Sequence, residues 1–356
     1  MAVGRARELA TGLSARQWAI LAAGVAGWGA FAFVTVRYIL VSLARHAEQP
    51  FFIYFDWRVF LIGAEQLLAR SLYRVPLGDP SRPTPLDAFN LPPVAAVPAI
   101  PLISAGTVAG GAVWQLASAT IFAFAGVALP RVLGFRWRES VVLGGIGLGA
   151  YAALTWLPVP PDLTYWWGLV LGTNNFIVLG LVAGFALAYV TGHDRTAGVL
   201  LAAAVASKLW PIALAPLVIR ERRWTVASWA AGLLALHGVV LLAWLGPDVV
   251  PHAVSALRQA DNPDTLVIGV AAVGRVFEWW PSWAPPVVGL LLVALPVRGL
   301  PGLGLGILAG LAVITNLWGH YLPTVLFGLA LLASPLLRRR DAYGMRPSPS
   351  AAPARD

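Results

Sequence analysis

Asp56 is the carboxylate best placed for chemistry in this sequence. It opens a run, Trp57, Phe60, Leu61, Ala64, Leu67 and Leu68, whose apolar residues share one helical face. Two roles suit an acid at such a position. As an N-cap it would accept backbone N–H groups and stabilise the helix by about 1 kcal/mol. As a general base it would take the proton from a sugar hydroxyl as that hydroxyl attacks. Lys208 is the only lysine among the 25 basic residues, and it lies inside an apolar run. A cation there must snorkel to an interface or meet a counter-charge, for which a lipid phosphate is suitable. Gly172-Thr173-Asn174-Asn175 interrupts another apolar run. Its adjacent amides can join helices or recognise sugar hydroxyls, since amides both donate and accept. His320 and Tyr321 stand at a helix junction, where a histidine is structural or binds phosphate or sugar. Arg275 and Glu278, one turn apart, can pair with each other. His252, Arg258, Asp261 and Asp264 read as a solvated loop.

The elements that must position these groups are membrane helices. Only 12% of the 356 residues are charged, 58% are hydrophobic, and mean hydropathy is +0.74. A water-soluble domain carries about 25% charged residues. Apolar runs cover Trp18–Val36, Leu91–Ser104, Thr107–Leu129, Ser140–Leu157, Trp166–Val190, Thr196–Ile219 and Trp224–Leu245. Leu266–Trp280, Ala284–Val297, Leu300–Trp318 and Leu322–Leu337 complete the set. About 20 apolar residues cross a bilayer, so the fold class expected is an all-α polytopic membrane protein of about 10 transmembrane helices. Sixteen Trp suit two membrane interfaces. Residues 1–340 read as one transmembrane domain and 341–356 as a disordered Pro/Ser/Ala-rich cytoplasmic tail.

The net charge of +9 sits in Arg clusters between apolar runs. Arg131/Arg136/Arg138, Arg220/Arg222/Arg223 and Arg338/Arg339/Arg340 mark cytoplasmic loops, so the basic balance signals topology rather than a nucleic-acid partner. The first run, preceded by Arg5, Arg7 and Arg16, reads as a retained first helix starting in the cytoplasm. It delivers the hydrophilic stretch His46–Asn90, with its amphipathic helix, to the outer face. One segment resists this scheme. Thr196–Ile219 joins two loops that both look cytoplasmic, so either one loop breaks the charge rule or the run is a broken, re-entrant pair. There is no cysteine, no phosphate-binding Gly-rich loop and no metal-ligand spacing. An activated donor would have to arrive within the membrane, or the protein is a transporter or channel.

The residues and their order resemble glycosyltransferase family 87, the polyprenyl-phosphate-mannose-dependent mannosyltransferases. The likeness rests on Asp56-Trp57-Arg58-Val59-Phe60, Gly63-Ala64, Leu67-Leu68, Leu72-Tyr73 and Phe89-Asn90-Leu91-Pro92-Pro93. It continues through Ala112-Val113-Trp114, Gly172-Thr173-Asn174-Asn175, Lys208-Leu209-Trp210-Pro211 and Trp318-Gly319-His320-Tyr321. It covers about Ala19 to Leu337. One departure stands out: Thr173 occupies a position where the family commonly has Gln, and a threonine cannot replace that amide.

The resemblance implies a GT-C type membrane fold with its active site on the extracytoplasmic side of the plasma membrane. Asp56 would be the catalytic base, and Lys208, His320 and Arg275 would hold the donor phosphate. Asn174, Asn175, Arg58 and Tyr321 would bind substrate. The donor would be a polyprenyl-phosphate sugar, most simply mannose, and the acceptor a cell-envelope glycolipid or polysaccharide. Displacement would invert the anomeric carbon, with no cofactor and no metal required. Two other readings stay open: a lipid or small-molecule transporter or flippase, and a non-catalytic envelope-assembly protein with the same fold.

Overall fold

The computed structural model describes residues 14–49, 53–73, 89, 91–158, 165–260, 284–313 and 321–338. Arg275, Glu278, His320, Asp261, Asp264, the run Leu266–Trp280 and the tail 341–356 lie outside the described residues. Among those described there is helix and turn but no strand.

The first half comprises α1 (Ala15–Arg45), α2 (Phe55–Leu68), a 3-10 segment (Pro93–Ala105), α3 (Gly106–Val132) and α4 (Trp137–Ala153). Next come α5 (Tyr165–Leu171), α6 (Asn175–Val190), α7 (Asp194–Ser207), a short 3-10 turn (Trp210–Leu214), α8 (Ala215–Arg220) and α9 (Trp224–Leu245). The chain closes with α10 (Val249–Ala260), α11 (Ala284–Ala294), α12 (Gly299–Val313), α13 (Leu322–Leu332) and α14 (Ser334–Arg338). Three stretches are long and apolar enough to cross a membrane: α1, the 3-10 segment with α3, and α9. They become four if α5 and α6, bent by 113° at their junction, are one span. The remaining apolar helices are shorter.

α9 exposes Trp229, Leu236, Val239, Val240, Leu242 and Trp244, and buries only Val226 and Ala230. Water would not tolerate a 22-residue apolar face of this kind. Exposed Trp224 and Trp244 stand 20 residues apart on it, about 30 Å at 1.5 Å per residue, which is the hydrocarbon thickness. Trp137 and Trp156, 19 residues apart (156 − 137), have a similar separation along α4 and the turn after it. Trp18 shares the end of the bundle that holds Trp137 and Trp224. These exposed indoles therefore stand at the two ends of the bundle, where a bilayer spanned by these helices would have its interfaces.

Helices approach closely through glycine, as expected where lipid replaces water and packing supplies the attraction. α1 and α4 run side by side, with Gly27 against the Gly145 carbonyl and Trp28 Nε1 donating to Val141 O at 2.9 Å. On α12, Gly302, Gly306 and Gly310 form a stripe at four-residue spacing. They meet Leu217, Leu214 and the Trp210 carbonyl in turn. The segment 210–220 therefore runs antiparallel to α12.

All the described Arg-rich connections gather at one end. Trp28 and Gly24 tie the start of α1 to α4, and a groove joins Arg131 and Trp137 to Thr191 and His193. Asp194 pairs with Arg223, Tyr189 Oη donates to Glu221, and Gly299 N–H donates to Glu221. The opposite end carries α2, over which Trp244 Nε1 donates to Leu67 O at 2.9 Å. The pairing of Asp194 with Arg223 also decides the ambiguous run. The chain leaves the Arg-rich end in α7, breaks at Lys208, and returns by 210–220 to the same end. Thr196–Ile219 is thus a broken helical hairpin, with Lys208 at its turn about 20 Å from where α7 starts.

α2 is more enclosed than its spacing indicates. Besides the expected Trp57, Phe60, Leu61, Ala64 and Leu67, it buries Val59, Ile62, Gly63 and Gln66, while Leu68 is exposed. It packs beneath the 3-10 segment and against Trp114, so it is a helix docked on the bundle rather than one resting on a surface.

Candidate active site at two helix breaks

Asp56 is held in place from the backbone upward. Tyr54 precedes α2 in the left-handed conformation (φ 61°), and its N–H donates to Val170 O at 2.9 Å. That bond ties the start of α2 to the end of α5. The Tyr54 ring lies on Gly111 and the Trp57 ring on Gly110, where any side chain would collide. Trp57 also abuts Gly172, whose φ of +73° suits glycine. Trp114 stacks against Trp57 and Phe60 and donates its Nε1 to Gly172 O at 2.8 Å. Two Trp and three Gly thus fix the first turn of α2 against the α5–α6 break.

The N-cap role is excluded. Tyr54 is the N-cap, no side chain caps the helix, and Asp56 lies one residue inside it. Its carboxylate faces the break instead. The Thr173 hydroxyl hydrogen-bonds the carboxylate while accepting the Asn175 N–H at 3.3 Å. A hydroxyl has one proton, so accepting from the amide directs that proton toward Asp56.

Lys208 arrives from the other break. As the C-cap of α7 it turns to an extended conformation (φ −151°, ψ 139°), which ends the helix three residues before Pro211. Its Nζ donates to Asn175 Oδ1 and, at 2.7 Å, to the Tyr321 hydroxyl at the start of α13. Neither snorkelling to the Arg-rich end nor lone burial describes it. Lys208 and Arg58 both lie within electrostatic range of Asp56. Arg58 Nη1 is anchored on Ile53 O at 3.2 Å.

The Asp56 carboxyl is therefore subject to opposed effects. Burial pushes its pKa up and outweighs Lys208, then the Thr173 hydroxyl, then Arg58, which all act to lower it; the balance leaves it raised from 3.8 to about 6. A carboxylate with a pKa near 6 is a competent base at neutral pH and can hold a proton after the reaction. The side chain is half-buried, so it is packed around by protein yet reachable from solvent.

Asn174 and Asn175 are buried, with 4% and 2% of their surface exposed, and their Nδ2 groups have no partner among the described residues. Two orphaned donors beside a lysine can bind the oxygens of an anion or a sugar. The N-terminus of α6 opens here as well and adds a partial positive charge. Among the described residues no group of three His, Asp or Glu side chains could hold a metal ion.

Of the residues singled out in the sequence, Asp56, Arg58, Asn175, Lys208 and Tyr321 converge, with Asn174 adjoining. Arg275 and His320 lie outside the described residues. Thr173 is the site residue not expected from the sequence: its hydroxyl bridges Asp56 and the Asn175 N–H at the helix break. A hydroxyl directly before two amides in an apolar run was the available signal. In comparisons with known proteins, no family model, no curated protein and no solved structure matches this chain.

Proposed function

We propose that this protein is a membrane-embedded inverting glycosyltransferase that moves a sugar, most simply mannose, from a polyprenyl-phosphate donor to a cell-envelope glycolipid or polysaccharide. The observation that carries the proposal is the meeting of Asp56, Thr173, Asn175, Lys208 and Tyr321 where two membrane helices break. The resemblance to glycosyltransferase family 87 supports it. About ten apolar segments then run between the two ends, the long helices crossing alone and the short ones meeting at depth. The Arg-rich end faces the cytoplasm by the positive-inside rule, which puts Asp56 on the extracytoplasmic side of the plasma membrane.

In this reading the acceptor hydroxyl gives its proton to the Asp56 carboxylate as its oxygen attacks the anomeric carbon. The bond to the phosphate breaks on the opposite face, and the lipid phosphate leaves with the bonding pair. Lys208 and the α6 N-terminus stabilise that growing negative charge, which needs no proton donor. Asn174 and Asn175 orient the sugar or phosphate oxygens. Arg58 and Tyr321 line the same site, and His320 and Arg275 are assigned to the phosphate by the resemblance alone.

A second reading has one observation in its favour. Two helices that break beside a lysine, one of them starting there with its N-terminus, are also how carriers bind anionic substrates. One experiment separates the two. Purified protein in liposomes is given polyprenyl-phosphate-[14C]mannose with an extracted envelope-lipid acceptor. Transfer of label to the acceptor by wild type, lost in Asp56→Asn at unchanged folding, supports the transferase. Movement of the intact donor across the bilayer without transfer supports the carrier and removes the proposed chemistry.

A further inference from the structure

The Arg-rich end holds a second concavity, away from Asp56. A groove of about 430 Å³ opens between α3, α6 and α7, with Phe124, Gly184, Leu187, Ala188 and Leu200 along its length. Its rim carries Arg131, Thr191, His193 and Thr196, and the exposed Trp137 indole stands beside them. One nitrogen of Arg131 is fixed on Phe135 O at 2.8 Å, which holds the guanidinium at the rim. The Thr191 hydroxyl donates to Leu187 O at 2.7 Å and so accepts from His193 Nδ1 at 2.8 Å, which orients the imidazole. The groove exists because Gly184 has no side chain. A Cβ there would sit 3.3 Å from Leu200 and 3.8 Å from Phe124, so anything longer would fill it.

The charge at this end is unbalanced around the groove. Asp194 is paired with Arg223, which leaves Glu139, an acid that accepts only the backbone N–H of Arg136 at 2.8 Å, against Arg131, Arg136, Arg138 and Arg195. Exposed Arg138 and Arg195 flank the rim residues. An apolar channel ending in the Thr196 hydroxyl, an imidazole and a guanidinium, with an exposed Trp beside them, has the chemistry of one ligand. That ligand is a lipid with an acyl chain and a negatively charged phosphate headgroup.

We propose that the groove between α3, α6 and α7 binds an anionic phospholipid, its acyl chain along Gly184 and Leu200 and its phosphate at Arg131 and His193. This site is independent of the transferase reading and would exist in a carrier equally.

The test uses delipidated full-length protein in neutral detergent. Phosphatidylglycerol and phosphatidylcholine with the same chains are titrated, and bound lipid is counted by native mass spectrometry. Wild type should bind phosphatidylglycerol at least about fivefold more tightly, since one basic residue near a headgroup is worth about that factor. Arg131→Gln should lose about fivefold. Gly184→Leu should lose binding with every charge intact, and it carries the test if Arg131→Gln fails to fold. Arg222→Gln, at the same end but outside the groove, should bind as wild type does. Equal affinity for the two lipids, unchanged binding in Gly184→Leu, or equal loss in Arg222→Gln and Arg131→Gln would each overturn the site. Full displacement by soluble glycerol phosphate would overturn the role of the acyl chain.

Discussion

Replacing Asp56 by Asn should make the protein more stable and inactive together. The fold holds this carboxyl at a pKa of about 6 against 3.8 for an ordinary aspartate, so burial disfavours its ionised form. A difference of about 2 pH units, at 1.36 kcal/mol each, amounts to about 3 kcal/mol, and residual solvent contact lowers the expected effect to about 1–2 kcal/mol. The sign follows from proton uptake. Between 3.8 and 6 the native state binds more protons at Asp56 than the unfolded chain, so stability falls as pH rises through that window. The penalty is absent below 3.8 and complete above 6. Asn carries no charge and escapes it. Thermal unfolding of wild type and Asp56→Asn in detergent should therefore diverge with pH. The two should lie closest at pH 4, and the variant should be a few degrees more stable at pH 8. Sugar transfer by wild type should rise about tenfold per pH unit up to about 6 and then level off. A variant that is less stable than wild type at pH 8, or by the same margin at pH 4 and 8, would refute the burial argument. A flat transfer profile between pH 5 and 7 would refute Asp56 as the base while leaving its burial intact.

Lys208→Met removes the largest of the effects that lower the Asp56 pKa, so the midpoint of the pH–rate profile should move upward and transfer at pH 7 should fall at least tenfold. An unmoved midpoint would separate the two residues. Thr173→Val keeps the shape and deletes the hydroxyl; the same midpoint should rise, by less than in Lys208→Met, with little loss of folded protein. Gly310→Ala would place a methyl group 2.5 Å from the Trp210 carbonyl and should cost about 1–3 kcal/mol, read as a lower unfolding temperature. Wild-type stability in this variant would mean the α12 stripe does not set the approach of 210–220. Cysteines introduced singly at 194 and 222 should be labelled from the same side of the membrane, since the segment between them re-enters; labelling from opposite sides would break the hairpin.

The helical class, the expectation of a lipid environment and most of the candidate residues are readable from the amino-acid order alone. Composition and run length decide the first two, because 12% charge cannot cover a soluble globule and lipid forces backbone groups to pair within helices. Asp56, Lys208 and the two amides were legible because a polar group in an apolar run is costly and needs a reason. Tertiary structure alone decided what those groups do to one another. Asp56 and Lys208 are separated by 152 positions (208 − 56), and no local spacing reveals that they meet. Nor could it show that Asp56 faces Thr173 instead of capping α2, since both sites offer a hydrogen-bond donor. The course of Thr196–Ile219 was undecidable from charge, because two basic loops with one run between them fit a crossing or a return. The pairing of Asp194 with Arg223 fixes the return, and only packing in three dimensions could place those two charges together.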